Sequence, residues 1–165
     1  MDSGGKSAVS QNCFSFIGLL ISSSSLSFKE RVFVPITKPY VSFIGRRNLT
    51  AGPVITWKSK SSDRGPNGRH WEPTVQPFES GFLCATGVTF KNTAIASASG
   101  KGMQAVALRV DSDYAMFHRV NLRGTQDTTI DNTGTHYLYQ CLFEGKVDFI
   151  FGSAISLSCF LLTAS

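Results

Sequence analysis

The chain has 165 residues, 42% of them apolar and 16% charged, which is long enough for one domain with its own core and excludes a disordered composition. Its net charge of +5 favours an acidic partner, and charge alone does not choose among nucleic acid, anionic lipid and acidic polysaccharide. Because the Lys and Arg residues are scattered and no binding motif accompanies them, we expect no nucleic-acid partner.

The first predicted element is an apolar run at residues 13–21, which lies between Lys6 and a serine run at 22–25. It resembles the apolar core of a signal peptide, although Asp2 and the lack of a small-residue cleavage site argue against one. A β-strand explains the run equally well. It is too short to span a membrane as a helix, so we expect no membrane partner.

Short strands separated by turn residues account for the rest of the chain. They are predicted at 31–45 (two strands around a proline break), 54–57, 81–90, 105–110, 114–122, 136–143 and 148–151, with loops at 58–77 and 94–102. No segment has the periodicity of an amphipathic helix of normal length. The sequence therefore predicts an all-β fold.

The four cysteines are Cys13, Cys84, Cys141 and Cys159. None has the spacing of a zinc site, so no metal site is predicted. Four cysteines would permit disulfides, but we favour the interpretation that Cys84 and Cys141 are buried apolar strand residues.

A repeat of 21 residues runs through the C-terminal half. The segment that ends at Asp127 aligns with the segment that ends at Asp148, and Gln104 precedes Gln126 by 22 residues. A repeat of this length with short strands is typical of a solenoid, in which equivalent positions stack on strands about 4.8 Å apart. We therefore expect Asp127, Asp148, Gln104 and Gln126 to converge on one surface patch. They form either a candidate active site or a purely structural hydrogen-bonded ladder.

Three blocks in this region resemble signature blocks of plant pectinesterases (pectin methylesterases), in the same order and with the same spacing. They are residues 104–110 (QAVALRV), 124–128 (GTQDT) and 147–152 (VDFIFG). The resemblance runs from about Glu30 to Leu157. It implies a right-handed parallel β-helix, in agreement with the repeat.

The resemblance also implies hydrolysis of galacturonate methyl esters of pectin, with release of methanol. By motif, Asp148 is the expected nucleophile, Asp127 the acid/base and Gln126 the oxyanion donor. Gln104 is expected to hold substrate, and Phe151 matches an aromatic position that lines the cleft. No metal or other cofactor is implied.

These residue types suit the implied chemistry. A carboxylate nucleophile divides ester hydrolysis into acyl transfer and attack by water. Two carboxylates about one strand spacing apart repel each other, which should raise one pKa and keep that group protonated as the acid. Along a straight strand Phe151 would face away from Asp148, so a bend is expected, with Gly152 as the residue that permits it.

The resemblance divides the chain into three parts. Residues 1–25 are an atypical N-terminal extension, 26–157 a partial pectinesterase β-helix domain and 158–165 an atypical C-terminal tail. The Leu-Gly-Arg-Pro-Trp block of the family is not reached, so we expect a β-helix that is incomplete at its C-terminus. The resemblance further implies secretion to the cell wall, pectin and a proteinaceous pectinesterase inhibitor as partners, and a monomer.

Two other functions remain open. One is a non-catalytic β-helix protein that binds acidic polysaccharide through a degenerate site. The other is a different pectin enzyme, either a hydrolase that uses paired carboxylates or a lyase that recruits calcium.

Overall fold

A computed structural model describes residues 17–20, 27–32, 34, 37–38, 40–45, 52–63, 75–78, 81–95, 102 and 104–164. These residues form fourteen β-strands. The strands are β1 (Ile17–Leu20), β2 (Ser27–Lys29), β3 (Tyr40–Ile44), β4 (Val54–Trp57), β5 (Val75–Phe78), β6 (Phe82–Thr86), β7 (Thr89–Asn92), β8 (Leu108–Val110), β9 (Tyr114–His118), β10 (Asn121–Arg123), β11 (Thr129–Asp131), β12 (Thr135–Gly145), β13 (Ile150–Phe151) and β14 (Ile155–Ala164).

The strands coil into three parallel faces. Face 1 runs β1-β3-β6-β9 and continues into the first halves of β12 and β14. Face 2 runs β2-β4-β7-β10 and continues into their second halves. Face 3 runs β5-β8-β11-β13. Every pairing is parallel and joins segments one coil apart, so the predicted all-β solenoid, a parallel β-helix, is confirmed.

The corner between faces 1 and 2 forms where single residues adopt the left-handed conformation. Gly87, Arg119 and Gln140 have φ of 63°, 54° and 54° on three successive coils, and Arg119 Nε donates to Gln140 Oε1 at 3.0 Å. Arg119 and Gln140 are 21 residues apart, so the sequence repeat reflects this corner as well. The corners divide the runs predicted as single strands at 81–90 and 114–122 into β6 and β7, and into β9 and β10.

Apolar side chains stack in register inside the coils. Phe90, Leu122 and Phe143 pair across β7, β10 and β12, and each is completely buried. Phe43 meets Phe90 edge to face, with ring centroids 5.7 Å apart. The core is thus a ladder whose stability depends on each coil covering the next.

Two local predictions differ from the structure. Strand β5 (Val75–Phe78) begins inside the predicted 58–77 loop and ends one residue beyond it, since pairing with β8 overrides the polar character of that stretch. Cys141 is buried as predicted, but Cys84 is half-buried, because it shares an outward row with Ser42 and Met116. The 13–21 run contains β1, while Cys13 lies outside the described residues.

No helix long and apolar enough to cross a membrane occurs in the described ranges.

The corner between faces 3 and 1 contains a buried histidine. His136 is 2% exposed, its Nδ1 donates to Asp131, and its Nε2 donates to the Ser112 carbonyl at 3.0 Å. Burial alone would lower the pKa of His136, but these hydrogen bonds and the negative charges of Asp131 and Asp111 outweigh it and raise the pKa. Asp111 is itself paired with Arg109. The hydrogen bonds and the neighbouring carboxylates therefore favour the protonated form of His136 more than water does.

We expect stability to fall as pH rises through the folded-state pKa of His136. Because the pKa is raised on folding, the stabilisation is complete below the unfolded value of about 6.5 and is lost above the folded value. Urea unfolding measured from about pH 6 to about pH 9 should show this decline in wild type and a much flatter profile in His136→Gln. His118→Gln, at a half-exposed position on face 1, should keep the wild-type slope; a flat wild-type profile would contradict the expectation.

Candidate active site

The two aspartates lie side by side at the corner between faces 2 and 3. The Asp127 N–H donates to the Val147 carbonyl at 3.0 Å, and the Thr128 N–H donates to the Asp148 carbonyl at 3.2 Å. The two residues are therefore neighbours on adjacent coils. The sequence expectation that they share one patch is met by the structure.

Both aspartates have a left-handed backbone, with φ of 57° at Asp127 and 50° at Asp148. This conformation is uncommon for residues other than glycine and occurs often at functional sites. Since both residues turn the same way, the two carboxylates leave the coil at equivalent points. The bend expected between Asp148 and Phe151 is thus located at Asp148 itself and does not depend on Gly152.

Gly124 and Gly145 occupy equivalent positions in the 21-residue repeat, and their surroundings explain why both are glycine. A Cβ atom at Gly145 would lie 2.7 Å from the Thr128 hydroxyl oxygen, and one at Gly124 would lie 3.1 Å from the same atom. Thr128 is completely buried immediately after Asp127. The two matched glycines therefore allow the coils to close around Thr128 and bring the aspartates together.

The environments of the two carboxyl groups differ. Asp127 is only 8% exposed, whereas Asp148 is exposed. Burial raises the pKa of Asp127, and the negative charge of Asp148 raises it further. Like-charge repulsion, the cause expected from the sequence, is therefore the second contribution after desolvation. The protonated form of Asp127 is therefore favoured more than in a solvent-exposed aspartate.

Gln126 and Gln104 lie on the coils that precede the nucleophile candidate. Gln126 forms an isolated parallel bridge with Val147, and its carbonyl accepts the Ala105 N–H at 3.0 Å. The amides of Ala107 and Leu108 both point to the Thr128 carbonyl, at 2.8 and 3.4 Å. Because two consecutive N–H groups share one acceptor, the coil that carries Gln104 contains one extra residue at this point. The two glutamines are therefore 22 residues apart, whereas the two aspartates are 21 apart.

The four polar residues of the site lie just before the strands of face 3 in the chain and not within those strands. Gln104 precedes β8, Gln126 and Asp127 precede β11, and Asp148 precedes β13. The predicted stacking of these segments on successive coils is observed. Their place at a corner, where the backbone turns outward, was not apparent from the strand pattern.

Phe151 lies within face 3, on strand β13, and not at the corner that carries the two aspartates. It pairs with Ile130, which pairs with Arg109, so the three side chains leave β13, β11 and β8 on the same side. Leu108 and Val110, which flank Arg109, belong to the core, so this row faces outward. Phe151 therefore lines the outer surface of face 3, three residues beyond Asp148.

Sequence reasoning missed Ser61. Its hydroxyl donates to Gln104 Oε1, and its N–H donates to the Gln104 carbonyl at 2.8 Å. The contact joins residues 43 positions apart through the loop that follows β4, and this loop carries no recognisable motif. Only the polar character of residues 58–63 was visible, which indicates a surface loop and no particular partner.

No recorded salt bridge in the described part of the chain includes Asp127 or Asp148. The ion pairs found there join Arg109 to Asp111, Arg123 to Glu144 and His136 to Asp131. The described residues also contain no cluster of three or more His, Cys, Asp or Glu side chains that could hold a metal ion.

An apolar groove of about 530 Å³ lies elsewhere, on the outside of face 1. It contains none of the predicted site residues. Its rim includes the stacked rings of Tyr40, Phe82 and Tyr114, whose centroids are 5.2 Å apart. The groove is therefore a separate surface feature.

Comparison with known proteins identifies the same family over most of the chain. The family model described as Pectinesterase matches residues 14–163. Pectinesterase QRT1 of Arabidopsis thaliana is 48% identical over 133 residues, which are 79% of this chain and 35% of that protein. Probable pectinesterase 8 of Arabidopsis thaliana is 38% identical over 132 residues, 79% of this chain and 32% of that protein.

Solved structures show the same fold. The pectin methylesterase from Yersinia enterocolitica aligns with a TM-score of 0.68 and 29% identity, over 84% of this chain and 47% of that one. A pectin methylesterase in complex with a hexasaccharide aligns with a TM-score of 0.62 and 24% identity, over 84% of this chain and 46% of that one. The chain spans about a third of the length of the curated relatives and about half of these structures.

Proposed function

The chain belongs to the pectinesterase family, and on that premise we propose that its aspartate pair hydrolyses galacturonate methyl esters of pectin and releases methanol. The observation that carries this proposal is the asymmetry between the two aspartates. A buried Asp127 with a raised pKa lies one coil away from an exposed Asp148. One group can therefore hold a proton while the other acts as a nucleophile.

In the first half-reaction, an Asp148 oxygen attacks the ester carbonyl carbon, and the carbonyl electron pair moves onto its oxygen. The Gln126 side-chain N–H donates to this oxyanion and, because an amide does not ionise, remains a donor at every pH. When the intermediate collapses, the bond to the methoxy oxygen breaks. Asp127 gives its proton to the leaving group, which departs as methanol.

In the second half-reaction, the ionised Asp127 takes a proton from water, and the hydroxide attacks the acyl–Asp148 anhydride. The tetrahedral intermediate collapses to a galacturonic acid unit and a regenerated Asp148 carboxylate, and the acid then loses its proton to solvent and becomes a galacturonate carboxylate. Asp127 is then protonated again. Gln104 and the outward row that ends at Phe151 would bind the sugar ring beside the reacting ester.

The direct test is incubation of the protein with methyl-esterified polygalacturonate and analysis of three products. Methanol without new reducing ends or unsaturated sugars is the expected result. New reducing ends would indicate glycosidic hydrolysis, and unsaturated products would indicate a lyase. Binding without any product would support a polysaccharide-binding function in place of an esterase.

We expect Gln126→Ala to lower methanol turnover by roughly a hundredfold, the usual loss for one oxyanion donor. The change should fall mainly on kcat, because the hydrogen bond strengthens when the oxyanion forms. Initial rates of methanol release over a range of pectin concentrations would measure it. Val147→Ala, at the exposed partner of Gln126, is the matched control and should stay close to wild type. A near-normal kcat in Gln126→Ala would remove Gln126 from the oxyanion role.

The remaining assignments follow from the proposed substrate. We propose a cell-wall location, since pectin is a cell-wall polysaccharide, and a monomer that meets its substrate through face 3. A proteinaceous pectinesterase inhibitor is a further proposed partner. Fractionation of plant tissue and sedimentation of the purified protein test the first two proposals, and inhibition of methanol release tests the third.

A further inference from the structure

The loop that follows β4 lies against the segment that carries Gln104. The Ser61 N–H donates to the Gln104 carbonyl at 2.8 Å, and the Ser62 N–H donates to the Gly102 carbonyl at 3.1 Å. Lys60 and Asp63 close the loop on itself, since the Asp63 N–H donates to the Lys60 carbonyl at 2.9 Å. The loop thus continues the stack of coils at the corner where the site is formed.

A buried asparagine stabilises the contact between this loop and the Gln104 segment. Asn92 is 2% exposed, and its Nδ2 donates to the carbonyls of Ser59 at 2.8 Å and Val106 at 3.0 Å. Its Oδ1 accepts the Ala94 N–H at 3.0 Å. One side chain therefore ties the loop to the coil that contains Gln104. A buried side chain therefore holds the backbone two residues before Ser61.

Three residues lie in order along the stack of coils: Ser61, Gln104 and Gln126. Backbone hydrogen bonds link Ser61 to Gln104 and Ala105 to Gln126. The Ser61 hydroxyl donates to Gln104 Oε1, so the amide oxygen of Gln104 faces the Ser61 coil. The Nε2 group is the other arm of the planar amide, so it is directed away from the Ser61 hydroxyl.

We propose that Ser61 is a positioning residue, whose hydroxyl holds the Gln104 side chain with its N–H groups directed toward the esterase site. The inference rests on the proposed function and adds a residue to it. An unanchored glutamine could rotate and present its oxygen, which would repel the ester and hydroxyl oxygens of a sugar. With Oε1 held by Ser61, Gln104 is a hydrogen-bond donor to the substrate.

Side-chain dynamics test this without requiring activity. The order parameter of the Gln104 Nε2 group, measured by ¹⁵N relaxation in the whole chain, should fall in Ser61→Ala. It should be restored in Ser61→Thr, which keeps the hydroxyl. Ser62→Ala, at the exposed neighbour, should leave it unchanged. If Ser61→Ala does not fold, Ser61→Cys replaces it as a variant of similar size with a weaker donor.

Kinetics then separate positioning from general stability. Loss of one hydrogen bond should reduce kcat/KM for a methyl-esterified hexagalacturonate by about threefold to tenfold in Ser61→Ala. In a Gln104→Ala background the same change should cause no further loss, because Ser61 acts through that amide. Equal losses in both backgrounds would overturn the proposal.

The two possible failures are distinguishable. If wild type releases no methanol, the proposed function is wrong, and the Gln104 order parameter alone decides whether Ser61 positions the amide. An unchanged order parameter in folded Ser61→Ala overturns the positioning role whatever the activity.

Discussion

Asp148→Asn is expected to abolish methanol release, with kcat at least roughly a thousandfold lower, while pectin binding is retained. Asparagine has nearly the shape of aspartate, so the left-handed turn at this position and the adjacent coil should persist. Its amide is a far poorer nucleophile, and the acyl intermediate cannot form. Methanol release and pectin binding would be measured on the same preparation.

Asp113→Asn is the matched control for this substitution. Asp113 is an exposed aspartate at the corner between faces 3 and 1, so the change removes the same charge away from the site. Its turnover should stay near that of wild type. If Asp148→Asn retains near-normal turnover, Asp148 is not the nucleophile, and the stacked aspartates and glutamines are a structural ladder.

Gly134→Ala is expected to destabilise the whole coil stack by about 3 kcal/mol or more, the sum of backbone strain and a steric clash. Gly134 has φ of 109°, which residues with a side chain rarely adopt. A Cβ atom there would lie 1.8 Å from the Ser112 carbonyl oxygen and 2.9 Å from His136 Nε2. That carbonyl is the acceptor of the buried histidine, so it cannot move without breaking the hydrogen bond.

Thermal unfolding followed by circular dichroism would measure the effect. A loss of about 3 kcal/mol in a protein of this size corresponds to a Tm lower by roughly 6 to 12 °C. Thr133→Ala, at the exposed preceding residue, should remain within about 0.5 kcal/mol of wild type. Equal melting of Gly134→Ala and wild type would show that the corner can relax around a methyl group.

Residues 119–148 show how much of the architecture is encoded locally. Asp127 and Asp148 recur with the coil length, and short strand-type apolar runs lie between them. A parallel β-helix places residues one coil apart on adjacent strands, so a repeat in sequence becomes proximity in space. For that reason the pairing of the aspartates and the solenoid class could both be predicted before any coordinates.

Other features depend on contacts that no local pattern records. Ser61 meets Gln104 across 43 residues, and Val75–Phe78 becomes a strand only because β8 offers it a partner. The roles of Gln104, Gln126, Asp127, Asp148 and Phe151 stay predictions, and the substitutions above examine those of Gln104, Gln126 and Asp148. The similarity to pectinesterases identifies the family and leaves these individual roles to experiment.

The sequence by itself determined the all-β class, the coil repeat and the aspartate pair, because each depends on short-range spacing along the chain. The family was indicated by the resemblance of three sequence blocks to pectinesterases. Only the tertiary structure decided which aspartate is buried, that both turn through a left-handed backbone, and which loop holds Gln104. These properties depend on desolvation and on hydrogen bonds between distant segments. They are set when the coils close on one another, since burial and long-range partners do not exist in the unfolded chain.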